Sequence, residues 1–162
     1  MADKSPQSSL TNFFKLFAGG EPQLFRRHLA TEWALKNPKD ATNPRIVPPF
    51  KAWKADVIRY GRDCSLWNFE YRLYQDGTTH LTGDVYSSDT GDEWDMQVLF
   101  SPTPNELDIT MYIDPHYHYD ISDKDTFKHW DEPRPASNTI VIVGTFPENY
   151  LTVEWLLLYI DC

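Results

Sequence analysis

From residue 65 onward the apolar side chains of this chain recur at every second position, and that period restricts what it can fold into. Trp67, Phe69, Tyr71 and Leu73 alternate with Asn68, Glu70, Arg72 and Tyr74. Residues 78–86 set His80, Thr82 and Asp84 on one face, with Leu81 and Val85 on the other. Trp94, Met96, Val98 and Phe100 alternate with Asp95 and Gln97, and Leu107, Ile109, Met111 and Ile113 alternate with Asp108, Thr110, Tyr112 and Asp114. Neighbouring strand residues point to opposite faces, so a period of two marks a half-buried strand. Asp76-Gly77 is a hairpin signal, residues 89–92 read as a turn around a glycine, and residues 101–106 carry two prolines. The pattern predicts a four-stranded antiparallel meander. Pro115 has no N–H for a ladder, so regular pairing is expected to stop there.

Before residue 65 the spacing looks helical. Residues 1–8 read as a disordered lead. Ser8 or Ser9 can cap a helix in which Leu10, Phe13, Phe14 and Phe17 form one stripe, ended by Gly19 and Gly20. Pro22 suits the first turn of a second short helix carrying Leu24, Phe25 and Leu29. Residues 33–49 hold four prolines and two asparagines and read as loop. Phe50, Trp53, Val57 and Ile58 line a third helix stopped by Gly61. In the tail, residues 120–137 are polar and read as loops, while residues 138–146 and 151–160 read as strands. The expected whole is one α+β domain over residues 9–162.

The net charge of −9 and the lack of any basic run exclude a phosphate backbone or an anionic membrane as partner. Cys64 and Cys162 are the only cysteines, and the second is the last residue. No disulfide framework is expected from them, and no C-x-x-C metal pattern is present. Residues 1–10 lack an apolar signal-peptide core, and the run WLLLYI is too short to span a bilayer. A cytoplasmic protein is the expectation.

The densest set of titratable groups follows Pro115. His116 and His118 are one residue apart, so an extended backbone turns both rings the same way. Such a pair can bind a metal, with a third ligand from His80, Asp120 or His129, or act as an acid–base pair. It can equally lie in a surface loop. The metal reading is the weaker, and neither metal nor cofactor is expected. His80, beside Asp84, is a base if its face looks inward. Asp89, Asp92, Glu93 and Asp95 lack the ligand spacing of a calcium loop and read as a solvated turn.

The stretches FFKLFAGGEPQLFRRHLATEWALKNP, VPPFKAWKADVIRY and NELDITMYIDP resemble the opening helices, third helix and late strand of the SnoaL-like polyketide cyclases. These belong to the wider nuclear transport factor 2-like superfamily, with ketosteroid isomerases and scytalone dehydratases. The resemblance covers about residues 9–115. It implies a cone in which a curved antiparallel sheet wraps a pocket closed by three N-terminal helices. It also implies a cofactor-independent isomerase, cyclase or dehydratase acting on a hydrophobic oxygenated small molecule, as in secondary metabolism, and a homodimer paired through the outer sheet face. The family's base position falls on Asn37, which cannot take a proton, with Asp40 three residues on. The late acidic position falls on Asp108 or Asp114. The expected catalytic groups are therefore His80, Asp114, His116 and His118. Phe17, Trp33, Asn37, Trp53, Trp67, Phe69, Tyr71 and Tyr112 are expected to line the substrate. The alternatives are a non-catalytic small-molecule binder and an acidic protein-interaction module.

Overall fold

A computed structural model describes Phe17, residues 20–28 and residues 49–162. These form two antiparallel sheets, not a three-helix cone. Sheet I has the order β1 (Gln23–Arg26), β10 (Trp155–Asp161), β5 (Asp92–Ser101), β6 (Met111–Ile113) and β9 (Thr139–Val141), with β7 (Tyr117–Ile121) also paired to β5. Sheet II has the order β2 (Phe50–Tyr60), β3 (Cys64–Tyr74), β4 (Thr79–Ser87) and β8 (Lys128–Arg134). One short helix, α1 (Phe146–Thr152), precedes β10, capped by Thr145 and with Pro147 in its first turn. No helix among the described residues is long and apolar enough to cross a membrane.

The α+β expectation fails first at residues 50–60, which form a strand. Trp53 and Ile58 are both buried in the core, yet five positions separate them, which a regular strand would put on opposite faces. The ladder supplies the shift. Between Trp67 and Glu70 the register with β4 slips by one, and Asn68 adopts a positive φ of 52°. Asparagine tolerates that region better than most residues. On β3 the inward set changes from Cys64 and Leu66 to Phe69, Tyr71 and Leu73, so Trp67 is turned outward. On β2 Trp53 lies opposite Tyr71 and Ile58 opposite Leu66. Spacing that imitates a helix is thus a strand with a bulge.

The second expected helix is also a strand. Residues 23–26 pair with β10, Leu24 opposite Leu157, and Pro22 stands just before the ladder, where its missing N–H costs nothing. His28 then bridges to Ala52, which joins the two sheets at that corner. The first expected helix and the 1–8 lead lie outside the described residues, apart from a buried Phe17.

Asp76-Gly77 makes the expected hairpin: Gly77 has φ 92°, and Asp76 Oδ1 accepts from the Thr78 N–H at 2.9 Å. The meander ends there. β4 pairs with β3 and β8, whereas β5 pairs with β10, β6 and β7, so the turn at residues 88–91 carries the chain from one sheet to the other. Residues 128–134 are strand where loop was expected. Their outward residues are polar, and Trp130 is their buried side chain. Pro133 is tolerated because β8 is the last strand of its sheet. Of residues 151–160, expected as strand, 151–152 close α1 and 155–160 lie in β10; of residues 138–146, only 139–141 form a strand.

Pro115 does interrupt the ladder. Leu99 pairs with Tyr112 and Met96 with Tyr117, so Gln97 and Val98 face residues 113–116 across a break holding the cis Asp114–Pro115 bond. Gln97 Nε2 donates to the Ile113 carbonyl at 2.5 Å and satisfies part of that break. Arg134 of β8 donates to the carbonyls of Pro115 and His116, pairs with Glu132 at 2.6 Å, and sits 3.8 Å from the centre of the Tyr117 ring. It ties sheet II to the interruption in sheet I.

Between the sheets the rings pack on one another. Trp53, Phe69 and Tyr117 contact Phe100 or Tyr71, and Trp130 contacts Tyr117 and Tyr119. Cys64 and Cys162 are joined by a disulfide across a separation of 98 positions, contrary to expectation. The start of β3 is thereby held to the end of β10.

Candidate functional site

The titratable groups gather on the outer face of the β5–β7 pair. β5 turns Trp94 and Met96 into the core and Glu93 and Asp95 outward. β7 turns Tyr117 and Ile121 inward and His118 and Asp120 outward. The register sets Asp95 opposite His118 and Glu93 opposite Asp120. His116, at the ladder break, reaches the same place. Asp95 Oδ1 lies 3.1 Å from His116 Nε2 and 2.7 Å from His118 Nδ1, and His118 Nε2 lies 3.0 Å from Asp120 Oδ1. Two imidazoles therefore share one carboxylate, and one of them is held at both nitrogens.

This geometry favours the imidazolium form of His118. Its pKa is raised, chiefly by the hydrogen bond to Asp95, against a smaller opposing effect of burial. Asp95 is the more buried partner, with a side chain 16% exposed against 44% for His118. Beyond Gln97 the same sheet face becomes apolar: Leu99, Tyr112, Leu157 and Tyr159 pack with Phe17, whose ring also meets His116 edge-on at 6.1 Å. The β10 run LLLY is apolar on both faces because this outer face is covered too.

Other expected site residues lie elsewhere. His80 stands on the outer face of sheet II, 2.5 Å from Asp131. Asp84, also facing outward, accepts from Asn68 at 3.0 Å and lies 3.0 Å from His129. Its pKa is lowered, first by the Asn68 bond and then by His129. Asp114 is exposed at the ladder break, where Asn138 donates to its carbonyl. Asp108 is exposed and accepts from Thr103. Trp53, Phe69 and Tyr71 belong to the interior, Trp67 to the outside of sheet II against Phe127 and Arg59, and Tyr112 and Phe17 to the outer cluster of sheet I. Trp33, Asn37 and Asp40 lie outside the described residues.

Several polar groups escaped the sequence reading. Tyr71 and Tyr117 share a hydroxyl–hydroxyl contact of 2.6 Å, with Thr79 Oγ1 at 3.5 Å. Burial raises both phenols, so neither loses a proton near neutrality. Lys51 is buried beneath α1, where Nζ donates to the carbonyls of Leu151 and Val153 at 3.1 and 3.0 Å. Burial first, and the charge of Arg27 second, lower it to about 8. Trp94 Nε1 is buried with no hydrogen-bond partner among the described residues. Glu93 and Asp95 carried one usable signal, the alternation of β5, but only the pairing with β7 brings them to the histidines.

Comparison with protein-family models, with curated proteins and with solved structures finds no match.

Proposed function

We propose that this protein is a binding module whose outer sheet I face takes a cationic ligand. The observation that supports this is the register of β5 and β7, which sets Glu93 directly opposite Asp120. Like charges at facing positions of an antiparallel pair destabilise it. Asp95 adds a third carboxylate two pairs along, on the same face, and the whole chain carries a net charge of −9. A bound cation relieves this repulsion. The test is a titration of isotope-labelled protein with hexalysine, spermidine and divalent cations, read by amide NMR shifts. Shifts centred on residues 93–95 and 118–120, lost in Glu93→Gln/Asp120→Asn, are expected. Shifts scattered over the surface, or none, contradict the reading.

A second reading, the acid–base isomerase, cyclase or dehydratase, has one observation in its favour. Trp94 Nε1 is a buried donor without a partner among the described residues, and a ligand oxygen between the sheets would satisfy it. Its test is titration with an oxygenated apolar ligand, read by the Trp94 indole N–H shift; the absence of a saturable shift removes it, and His80, Asp114, His116 and His118, all on outer surfaces, are not at that place. As to setting, the disulfide favours an oxidising compartment over the cytoplasm expected from the cysteine count. Pairing into a homodimer through the outer sheet face is checked by sedimentation, where a single species of 18.9 kDa would exclude it.

A further inference from the structure

We infer that Glu93, His118 and Asp120 form a site for a divalent transition-metal ion of the zinc type. This rests on the reading above that the same face binds cations. One ligand atom from each of the three side chains can be chosen so that all lie within 4.8 Å of one another. Zinc holds carboxylate oxygens and imidazole nitrogens at about 2.0–2.2 Å, so ligand atoms on one ion stand at most about 4 Å apart. Rotation of exposed side chains covers the difference, and the backbone ladder already fixes their Cα positions.

The nitrogen available to the ion follows from the hydrogen bonds. Asp95 Oδ1 lies 2.7 Å from His118 Nδ1, and Asp120 Oδ1 lies 3.0 Å from Nε2. Asp95 is the more buried of the two carboxylates, and it holds the proton on Nδ1. Nε2 is then left with its lone pair directed toward Asp120. A carboxylate behind a ligating imidazole is the arrangement that fixes tautomer and ring orientation in metal sites. Asp95 is in turn held by His116 Nε2 at 3.1 Å, which makes Asp95 and His116 positioning residues. The imidazole decides the metal class. Calcium and magnesium take oxygen ligands, whereas nitrogen beside carboxylate suits zinc, nickel and copper. The two facing carboxylates, costly when nothing lies between them, become ligands of one charge. His80 and His129, paired with Asp131 and Asp84 on the other sheet, have no part in it.

The test is calorimetric titration of the chelator-treated, disulfide-intact chain with zinc chloride at pH 7.5, with calcium chloride and hexalysine as parallel arms. One zinc per chain is expected, with calcium at least about tenfold weaker. His118→Ala, Glu93→Gln and Asp120→Asn should each weaken zinc at least about tenfold, and Asp95→Asn by roughly 10–100-fold. In Asp95→Asn the imidazole nitrogen shifts of His118 should also show that the Nδ1–H tautomer is no longer enforced. His129→Ala should leave zinc affinity unchanged. Near-ultraviolet circular dichroism confirms that each variant is folded, and the three carboxamide variants nearly preserve side-chain size. Zinc affinity unchanged in His118→Ala, or calcium binding as tightly as zinc, overturns the inference. So does hexalysine binding at this face without zinc binding, which leaves the broader cation reading intact. Binding of neither removes both.

Discussion

Removing the Cys64–Cys162 bond should take away a large share of the protein's stability. The bond spans 98 positions, from the start of β3 to the residue after β10. In the unfolded chain it closes nearly the whole strand-rich region into one loop, and loop-closure entropy for that length is worth about 4.7 kcal/mol at 25 °C. Domains of this kind have about 5–15 kcal/mol in total, so this is roughly a third or more of what holds the chain folded. At about 2–4 °C per kcal/mol for this size, Cys64→Ala/Cys162→Ala should melt roughly 9–19 °C below the wild type. Urea unfolding of the oxidised wild type and the double variant tests this. The cross-linked unfolded state is more compact, so the wild type should also show the lower denaturant slope. Equal midpoints, together with free thiols in the folded wild type, would refute the reasoning. Because Cys64 is 5% exposed, reductant should act on the native protein slowly and much faster once urea is added.

Three further outcomes follow from the site and the core. Tyr71→Phe removes the 2.6 Å contact to Tyr117 and should cost about 1–2 kcal/mol in urea unfolding; no change would mean the hydroxyl pair contributes nothing. Lys51 has its pKa lowered to about 8, so above that pH the unfolded chain binds the extra proton and stability rises with pH. The urea midpoint should therefore climb from about pH 8 toward the ordinary lysine value of 10.5 in the wild type, and this rise should be absent in Lys51→Met. In metal-free protein the His118 imidazole should titrate above 6.5, and Asp95→Asn should bring it back down. The stabilising effect of that bond is present below pH 6.5 and fades as pH rises through the folded pKa, which histidine NMR at stepped pH follows directly.

The parts of the fold legible in the sequence are those in which one local rule acts alone. Strict alternation marks β4 and β5, and Asp76-Gly77 marks the hairpin; Pro115 marks a break in pairing, which β7 resumes two residues later instead of ending there. Where two rules overlap, the period misleads. Trp53 and Ile58 share the core only because the ladder shifts at Asn68, and a five-residue spacing in a strand reads as helix. β8 was hidden because a terminal strand buries little besides Trp130 and keeps polar residues outward. The move from sheet II to sheet I at residues 88–91 leaves no mark in composition, and neither does a disulfide between cysteines 98 positions apart. In the site, the His-x-His spacing put His116 and His118 on one side if the backbone is extended, and both reach Asp95. Their carboxylate partners could not be read, because the β5–β7 register is set by a break of unknown length until residues 113–116 are placed.

The proposed site puts ligand recognition on the outer face of β5 and β7 and not in the space between the sheets. Amide and indole NMR shifts, recorded on one sample while zinc chloride is added and on another while an apolar aromatic ligand is added, test it most directly. Zinc-dependent shifts are expected at Glu93, Asp95, His118 and Asp120, with the indole N–H of Trp94 and the amides of Trp53 and Tyr71 unmoved by either ligand. A saturable shift of the Trp94 indole with the apolar ligand, while residues 93–95 and 118–120 stay silent to zinc, would contradict it.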